Sequence, residues 1–127
     1  MRDFHRPWLW LAVWIFGLAL CIVLSLLPPI ELGAPHDSDK LGHLLAYFTL
    51  TAWAVSIFRS RRGQFLAALG LFVLGLSLEF AQAQLTTTRL GDPRDAVANT
   101  LGILAGLALA FTPAALFLQR LDRRLSR

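Results

Sequence analysis

Asp39, His43 and Tyr47 stand four residues apart, Glu79 and Gln82 three apart, and Asp95 and Asn99 four apart. Residues at these spacings share one face of a helix, so each set makes a polar stripe. An unperturbed histidine titrates near pH ~6.5 and moves protons readily around neutrality. A carboxylate beside it is a common partner in general acid–base chemistry. His43, Glu79 and Asp95 are therefore the candidate acid–base residues. Asp39, Lys40, Tyr47, Gln82, Arg89, Arg94 and Asn99 are candidate ligand contacts. Arginines such as Arg89 and Arg94 grip phosphates and carboxylates through paired N–H donors.

Each assignment has a plainer counterpart. His43, Tyr47, Gln82 and Asn99 would serve equally as interhelical hydrogen-bond partners, and Glu79 as part of a polar clamp between helices. Asp95 fits a helix-start acid favoured by the helix dipole. Arg89 and Arg94 fit loop residues at headgroup level. A metal reading would combine His43, Glu79 and Asp95, with His36 from a loop. There is no HExxH, no CxxC and no second histidine on that stretch, so neither a metal nor another cofactor is expected. Neither GxSxG nor a P-loop occurs; Ser56 and Ser60 lie at the inner end, and Ser25 and Ser77 have no basic neighbour in sequence, so acyl transfer by serine is a poor fit.

The elements that must hold these stripes are apolar runs over residues 8–27, 41–58, 64–85 and 96–118. Each is near the ~20 residues a helix needs to cross a bilayer core. Hydrophobic residues make up 56% of the 127, above the ~45–50% of soluble domains. They lie in blocks, with no charged reverse face at helical period. The expected fold is all-α, a single four-helix transmembrane bundle over residues 1–127. Within it the polar stripes sit near one end of three spans. With a rise of ~1.5 Å per residue, Glu79 lies roughly 9 Å inside its helix end, a depth that His43, Tyr47 and Asn99 can share. A polar group in hydrocarbon is costly unless it pairs, faces a cavity or works.

Charge sets the orientation. Nine of the twelve cations, namely Arg2, Arg6, Arg59, Arg61, Arg62, Arg120, Arg123, Arg124 and Arg127, fall on one side of the four runs. By the positive-inside rule that side is cytoplasmic, with both termini, and the stripes face outward. The net charge of +4 then reflects topology and contact with anionic lipid rather than nucleic acid. The expected location is the inner membrane, multi-pass. The first run, too long for a signal peptide and without a small-residue cleavage site, reads as a retained span. Cys21 is the one cysteine, a small residue inside that span.

Boundary signals agree with this plan. Pro28-Pro29 ends the first run, and residues 30–37 read as an outer loop. Asp37-Ser38-Asp39 offers N-caps for the second helix. The turn at residues 59–63 is short enough for an antiparallel hairpin. Thr86-Thr87-Thr88 opens a second outer loop, and Asp92-Pro93 starts the last helix with proline at its first position. Gly102 and Gly106 form a GxxxG pair suited to close helix packing within the chain. Trp8, Trp10 and Trp14 suggest an aromatic belt at the inner interface. His5 and Asp122 read as solvated terminal residues.

Taken together, Asp39-Lys40-x-x-His43-x-x-x-Tyr47, Glu79-x-x-Gln82, Arg89, Asp92 and Asp95-x-x-x-Asn99-x-x-Gly102-x-x-x-Gly106 resemble the VanZ-like family of small bacterial membrane proteins. The likeness spans residues 39–106, and the chain has little beyond four runs, which is short for that family. The resemblance implies a polytopic helical protein of the bacterial cell envelope and marks the motif positions as its working surface. The family's namesake is associated with teicoplanin resistance, and other members accompany envelope or exopolysaccharide functions. The resemblance assigns neither a reaction nor a resistance role to this chain.

Three functions fit. One is an outward polar pocket that binds, or as an enzyme modifies, an anionic envelope lipid or cell-wall-related group. Lys40, Arg89 and Arg94 would attract the anion, and His43, Glu79 and Asp95 would orient it or move protons. Another is a non-catalytic subunit of a membrane complex, with polar residues as glue. A transporter is the third and would require assembly, because no inverted repeat is visible. The implied partners are bilayer lipids, a lipid-linked or cell-wall precursor, and further copies or other membrane proteins.

Overall fold

The computed structural model describes residues 1–27, 38–85 and 93–127, with the side chains of residues 38, 39 and 85 outside that description. Several sequence expectations therefore lie outside the described residues: Pro28-Pro29, the loop at 30–37 with His36, the caps at 37–39, Thr86-Thr87-Thr88, Arg89 and Asp92. The described residues form helices α1 (Pro7–Leu26), α2 (Ser38–Ile57), α3 (Arg61–Leu85), α4 (Pro93–Ala108) and α5 (Phe117–Leu125). Two 3-10 turns, Leu109–Phe111 and Pro113–Leu116, join the last two helices. No strand occurs among the described residues.

Local chemistry accounts for the ends. Pro7 opens α1, where its missing N–H costs nothing. Between α2 and α3, the Ser60 hydroxyl accepts from the Gly63 N–H at 3.0 Å. Gln64 Nε2 donates back to the Phe58 and Val55 carbonyls at 2.9 and 3.3 Å. These bonds satisfy terminal groups that helices otherwise leave open and fold α2 and α3 into a hairpin.

α2 is the centre of the bundle. α1, α3 and α4 all pack on it, most extensively α4. Gly102 meets the backbone at Leu44 and Phe48, and Gly106 meets Phe48 and Thr51. Numbers rise together along the two helices, so α2 and α4 run parallel. A Cβ on Gly106 would stand 2.6 Å from Thr51 Cβ. The GxxxG pair is thus spent on intramolecular packing, which brings two backbones into contact.

The outer surface is apolar. Trp8, Phe16, Phe65, Phe80 and Phe111 are each at least 60% exposed. Such a surface suits a lipid environment, because large side chains exposed to water in this number mark contact with a membrane or another protein. Three segments, Pro7–Leu26, Arg61–Gln84 and Pro93–Phe111, are long and apolar enough to cross a membrane. α2 matches α1 in length, at 20 residues, but its polar residues lower its hydropathy. Its central position removes much of the need for an apolar face.

The last run departs from its expected extent of 96–118. α4 ends at Ala108, and Thr112 is extended (φ −123°, ψ 162°) ahead of Pro113. A proline inside a helix loses one hydrogen bond and clashes with the preceding turn. The Thr112 hydroxyl caps the next turn through the Ala114 N–H at 3.3 Å. Arg61 fixes the break, donating to the Ala110 carbonyl at 2.7 Å and lying 4.4 Å over the Phe111 ring. α5 then carries Leu118 and Asp122 on its buried face and Arg120, Arg123 and Arg124 on its exposed face.

Asp122 corrects the reading of it as solvated. It is 1% exposed, and it accepts from Trp10 Nε1 at 2.8 Å and the His5 backbone N–H at 2.6 Å. The His5 ring lies 3.3 Å from the same carboxylate and is itself 62% exposed. Arg2 N–H donates to the Ile57 carbonyl at 2.8 Å, and Gln119 Nε2 to the Asp3 carbonyl at 3.0 Å. The N-terminal residues thereby bind α5 to the basic ends of α1 and α2. Of the three tryptophans expected at the interface, Trp8 is exposed, while Trp10 is buried and Trp14 Nε1 donates inward to the Leu50 carbonyl at 2.9 Å.

Candidate functional site

The site lies at the end opposite this clasp. On α4, Asp95, Asn99, Gly102 and Gly106 are all buried, as their 4-3-4 spacing requires. On α3 the buried face runs through Gln64, Ala68, Leu71, Gly75, Leu78 and Gln82. That face turns Gly75 towards α2 and α4, where its missing side chain makes room. A Cβ there would stand 3.1 Å from Asn99 Nδ2 and 3.4 Å from the Tyr47 ring and hydroxyl. Sequence reasoning passed over Gly75; its place four residues before Glu79 on the same helix face was the available signal.

His43 on α2 is held from both nitrogens by one face of α4. Its Nδ1 lies 3.1 Å from Asn99 Oδ1, and its Nε2 lies 3.7 Å from Asp95 Oδ2. An amide oxygen only accepts, so Nδ1 carries the hydrogen. The Asp95 distance is an ion-pair separation, longer than a hydrogen bond. Glu79 joins from α3: one ligand atom from each of His43, Glu79 and Asp95 falls within 4.8 Å of the others. Three helices therefore bring these three candidates together, with Asn99 behind His43 and Tyr47, 2% exposed, beneath.

Other candidates are placed differently. Gln82 is buried but turns to α1, donating through Nε2 to the Ser25 carbonyl at 2.6 Å. That bond joins α3 to α1. The hydroxyls of Ser25, Ser56 and Ser77 donate to the carbonyls four residues back in their own helices. Asp39 lies on α2 with its side chain outside the described residues, as is all of Arg89.

Two grooves flank α2 at this end. One, of about 280 Å³, is lined by Cys21, Leu24, Ser25, Gly42, His43, Ala46 and Tyr47, and so opens His43 to the α1 side. The other, of about 470 Å³, runs between α2 and α4. Lys40 and Arg94, each in the first turn of its helix, head it. Leu41, Leu44, Val97, Ala98 and Leu101 form its apolar walls. The polar residues thus divide between a carboxylate–histidine cluster in the bundle and a cationic pair at the mouth of an apolar groove. The cluster can exchange protons or hold a cation, and the groove can take an acyl chain beneath an anionic group.

Comparison with protein-family models, with curated proteins and with solved structures finds no match to this chain.

Proposed function

We propose that the chain is a VanZ-like integral membrane protein of the bacterial cell envelope. In this reading α2 joins the three apolar segments as a fourth span, and both termini lie in the cytoplasm of a multi-pass inner-membrane protein. Its outward end binds an anionic envelope lipid or a related lipid-linked group. The observation that supports this most is the α2–α4 groove, apolar along its walls and headed by Lys40 and Arg94. An acyl chain suits the walls, and a phosphate at the mouth suits the two cations, because charge-assisted hydrogen bonds to phosphate are among the strong ones. Its volume is in the ordinary range for small-molecule sites.

Purified protein with both cations replaced, Lys40→Gln and Arg94→Gln, tests the reading by native mass spectrometry of retained lipid. The intact protein should carry anionic phospholipid, and the double variant should retain at least about tenfold less, as the loss of ~1.4 kcal/mol implies. Equal retention of anionic lipid by the two proteins would refute it.

A second reading has its own support: the His43–Asn99 contact ties α2 to α4 beside the Gly102–Gly106 packing. Under it the polar residues only brace a subunit of a larger membrane complex. Glu79→Gln would then alter thermal stability and leave lipid retention unchanged, whatever the state of the groove.

A further inference from the structure

We propose that a groove between α2 and α5, at the end of the bundle opposite the His43 cluster, holds an anionic phospholipid of the adjoining leaflet with its phosphate on Arg120. The groove follows from the break at Thr112–Pro113. As far as Gly106 the α4 backbone lies against Thr51 of α2. Beyond it the chain turns away and leaves a space of about 310 Å³. Trp53 of α2 walls this space on one side, and Leu109 and Phe117 wall it on the other. The polar groups of the α2 wall are already spent. The Trp53 indole donates to the Trp10 carbonyl at 3.1 Å. The Thr49 and Ser56 hydroxyls donate to the Leu45 and Ala52 carbonyls of their own helix. The walls thus offer mainly carbon, which suits an acyl chain, and Arg120 is the charged residue of the lining.

Charge at this end calls for an anion. Nine arginines gather there against two acids, Asp3 and Asp122. Asp122 is turned inward to Trp10 and His5, and Asp3 lies 3.9 Å from Arg59. On α5, Arg120, Arg123 and Arg124 are all exposed, and cations three and four apart on a helix repel one another. The last-turn pair, Arg123 and Arg124, suits the helix dipole. Arg120 stands in the first turn, where the dipole disfavours a cation. A phosphate between Arg120 and Arg124 offsets the repulsion through charge-assisted hydrogen bonds. The rotation of α5 is fixed, because Leu118 packs on Trp10 and Ile57 while Asp122 bonds to Trp10. Phe111 and Phe117 stand exposed beside these arginines, a pairing typical of segments that lie in a membrane interface. The guanidiniums face water, so each contact is weak and screened. The lipid accordingly exchanges with the leaflet and leaves on detergent extraction. This inference rests on the membrane placement proposed above and not on the α2–α4 groove.

The test places photoreactive benzoylphenylalanine at Phe117, which lines the groove, or at Phe65, equally exposed and near the same end of α3. The full chain is illuminated in nanodiscs of mixed phosphatidylglycerol and phosphatidylcholine, and the captured lipids are identified by mass spectrometry. Capture at Phe117 should favour phosphatidylglycerol about fivefold more than capture at Phe65, the worth of one cation near an anionic surface. Arg120→Gln should bring Phe117 level with Phe65 and leave Phe65 unchanged. High salt should erode the preference in the chain that keeps Arg120, a readout independent of how that variant folds. Equal lipid mixtures at the two positions, an equal fall at both on Arg120→Gln, a preference indifferent to salt, or capture of a second chain in place of lipid would each overturn the proposal. The same measurement at Val97, in the α2–α4 groove, separates the two lipid sites. Selective capture at Phe117 alone sinks the α2–α4 site, and selective capture at Val97 alone sinks this one.

Discussion

Gly102→Leu is expected to cost about 3 kcal/mol of bundle stability or to prevent folding, at the upper end of overpacking effects. At Gly102 even a Cβ would run into the Leu44 carbonyl oxygen and stand 3.0 Å from the Phe48 backbone N. Neither backbone atom can rotate away, so α2 and α4 must separate along the seam that also aligns His43 with Asp95 and Asn99. Gly70→Leu provides the control. Nothing lies within 4 Å of the added Cβ there, and helix propensity favours leucine over glycine by up to about 1 kcal/mol. Thermal unfolding in detergent should show a large loss for the first variant and none for the second. Equal behaviour would mean that α2 and α4 do not touch at this point.

The second large effect is expected at Asp122. Asp122→Ala removes the acceptor of the Trp10 indole and of the His5 backbone N–H, stranding the indole of a tryptophan only 6% exposed. Breaking a buried charged contact from one side costs about 3 kcal/mol, and the N-terminal residues should detach from α5. The same carboxylate gives a pH signature. Burial raises its pKa, but hydrogen bonds from the Trp10 indole and the His5 backbone and ring outweigh burial and hold it below the usual aspartate range. A carboxyl lowered in the folded state contributes stability above its unfolded pKa of about 3.9 and loses it as pH falls through the lower folded value. Acid unfolding should therefore steepen below about pH 4. Asp122→Asn, which cannot ionise, should lack that contribution. An unchanged acid profile in the asparagine variant would show that the clasp does not depend on the charge.

Much of this architecture was legible in order along the chain. Apolar blocks located α1, α2 and α3, and the 4-3-4 spacing of Asp95, Asn99, Gly102 and Gly106 correctly put all four on one buried face. Helical periodicity is a local property, so a sequence reports it directly. The same reasoning ran past Pro113, because the apolar residues on either side outweighed a single breaker. The partners of Asp122 were invisible for a different reason. Trp10 and His5 lie 112 and 117 residues away in the chain, and no local pattern pairs residues across that distance. Polar stripes on α2 and α4 were expected to meet, and His43, Asp95 and Asn99 do. Which neighbour each stripe chose was not legible. Gln82 bonds to α1 through its Nε2, and Lys40 and Arg94 head a groove on the α4 side of α2, because helix rotation about its axis is set by packing.

The most direct measurement places a photoreactive side chain at Val97, which is 59% exposed and lines the α2–α4 groove, and illuminates the protein in native membranes. The lipids captured there are compared with those captured at Leu76, a 45% exposed position on α3. Capture at Val97 enriched in anionic lipid, with the enrichment abolished by Lys40→Gln with Arg94→Gln, is the predicted result. The same lipid mixture at both positions, indifferent to the two substitutions, would contradict it.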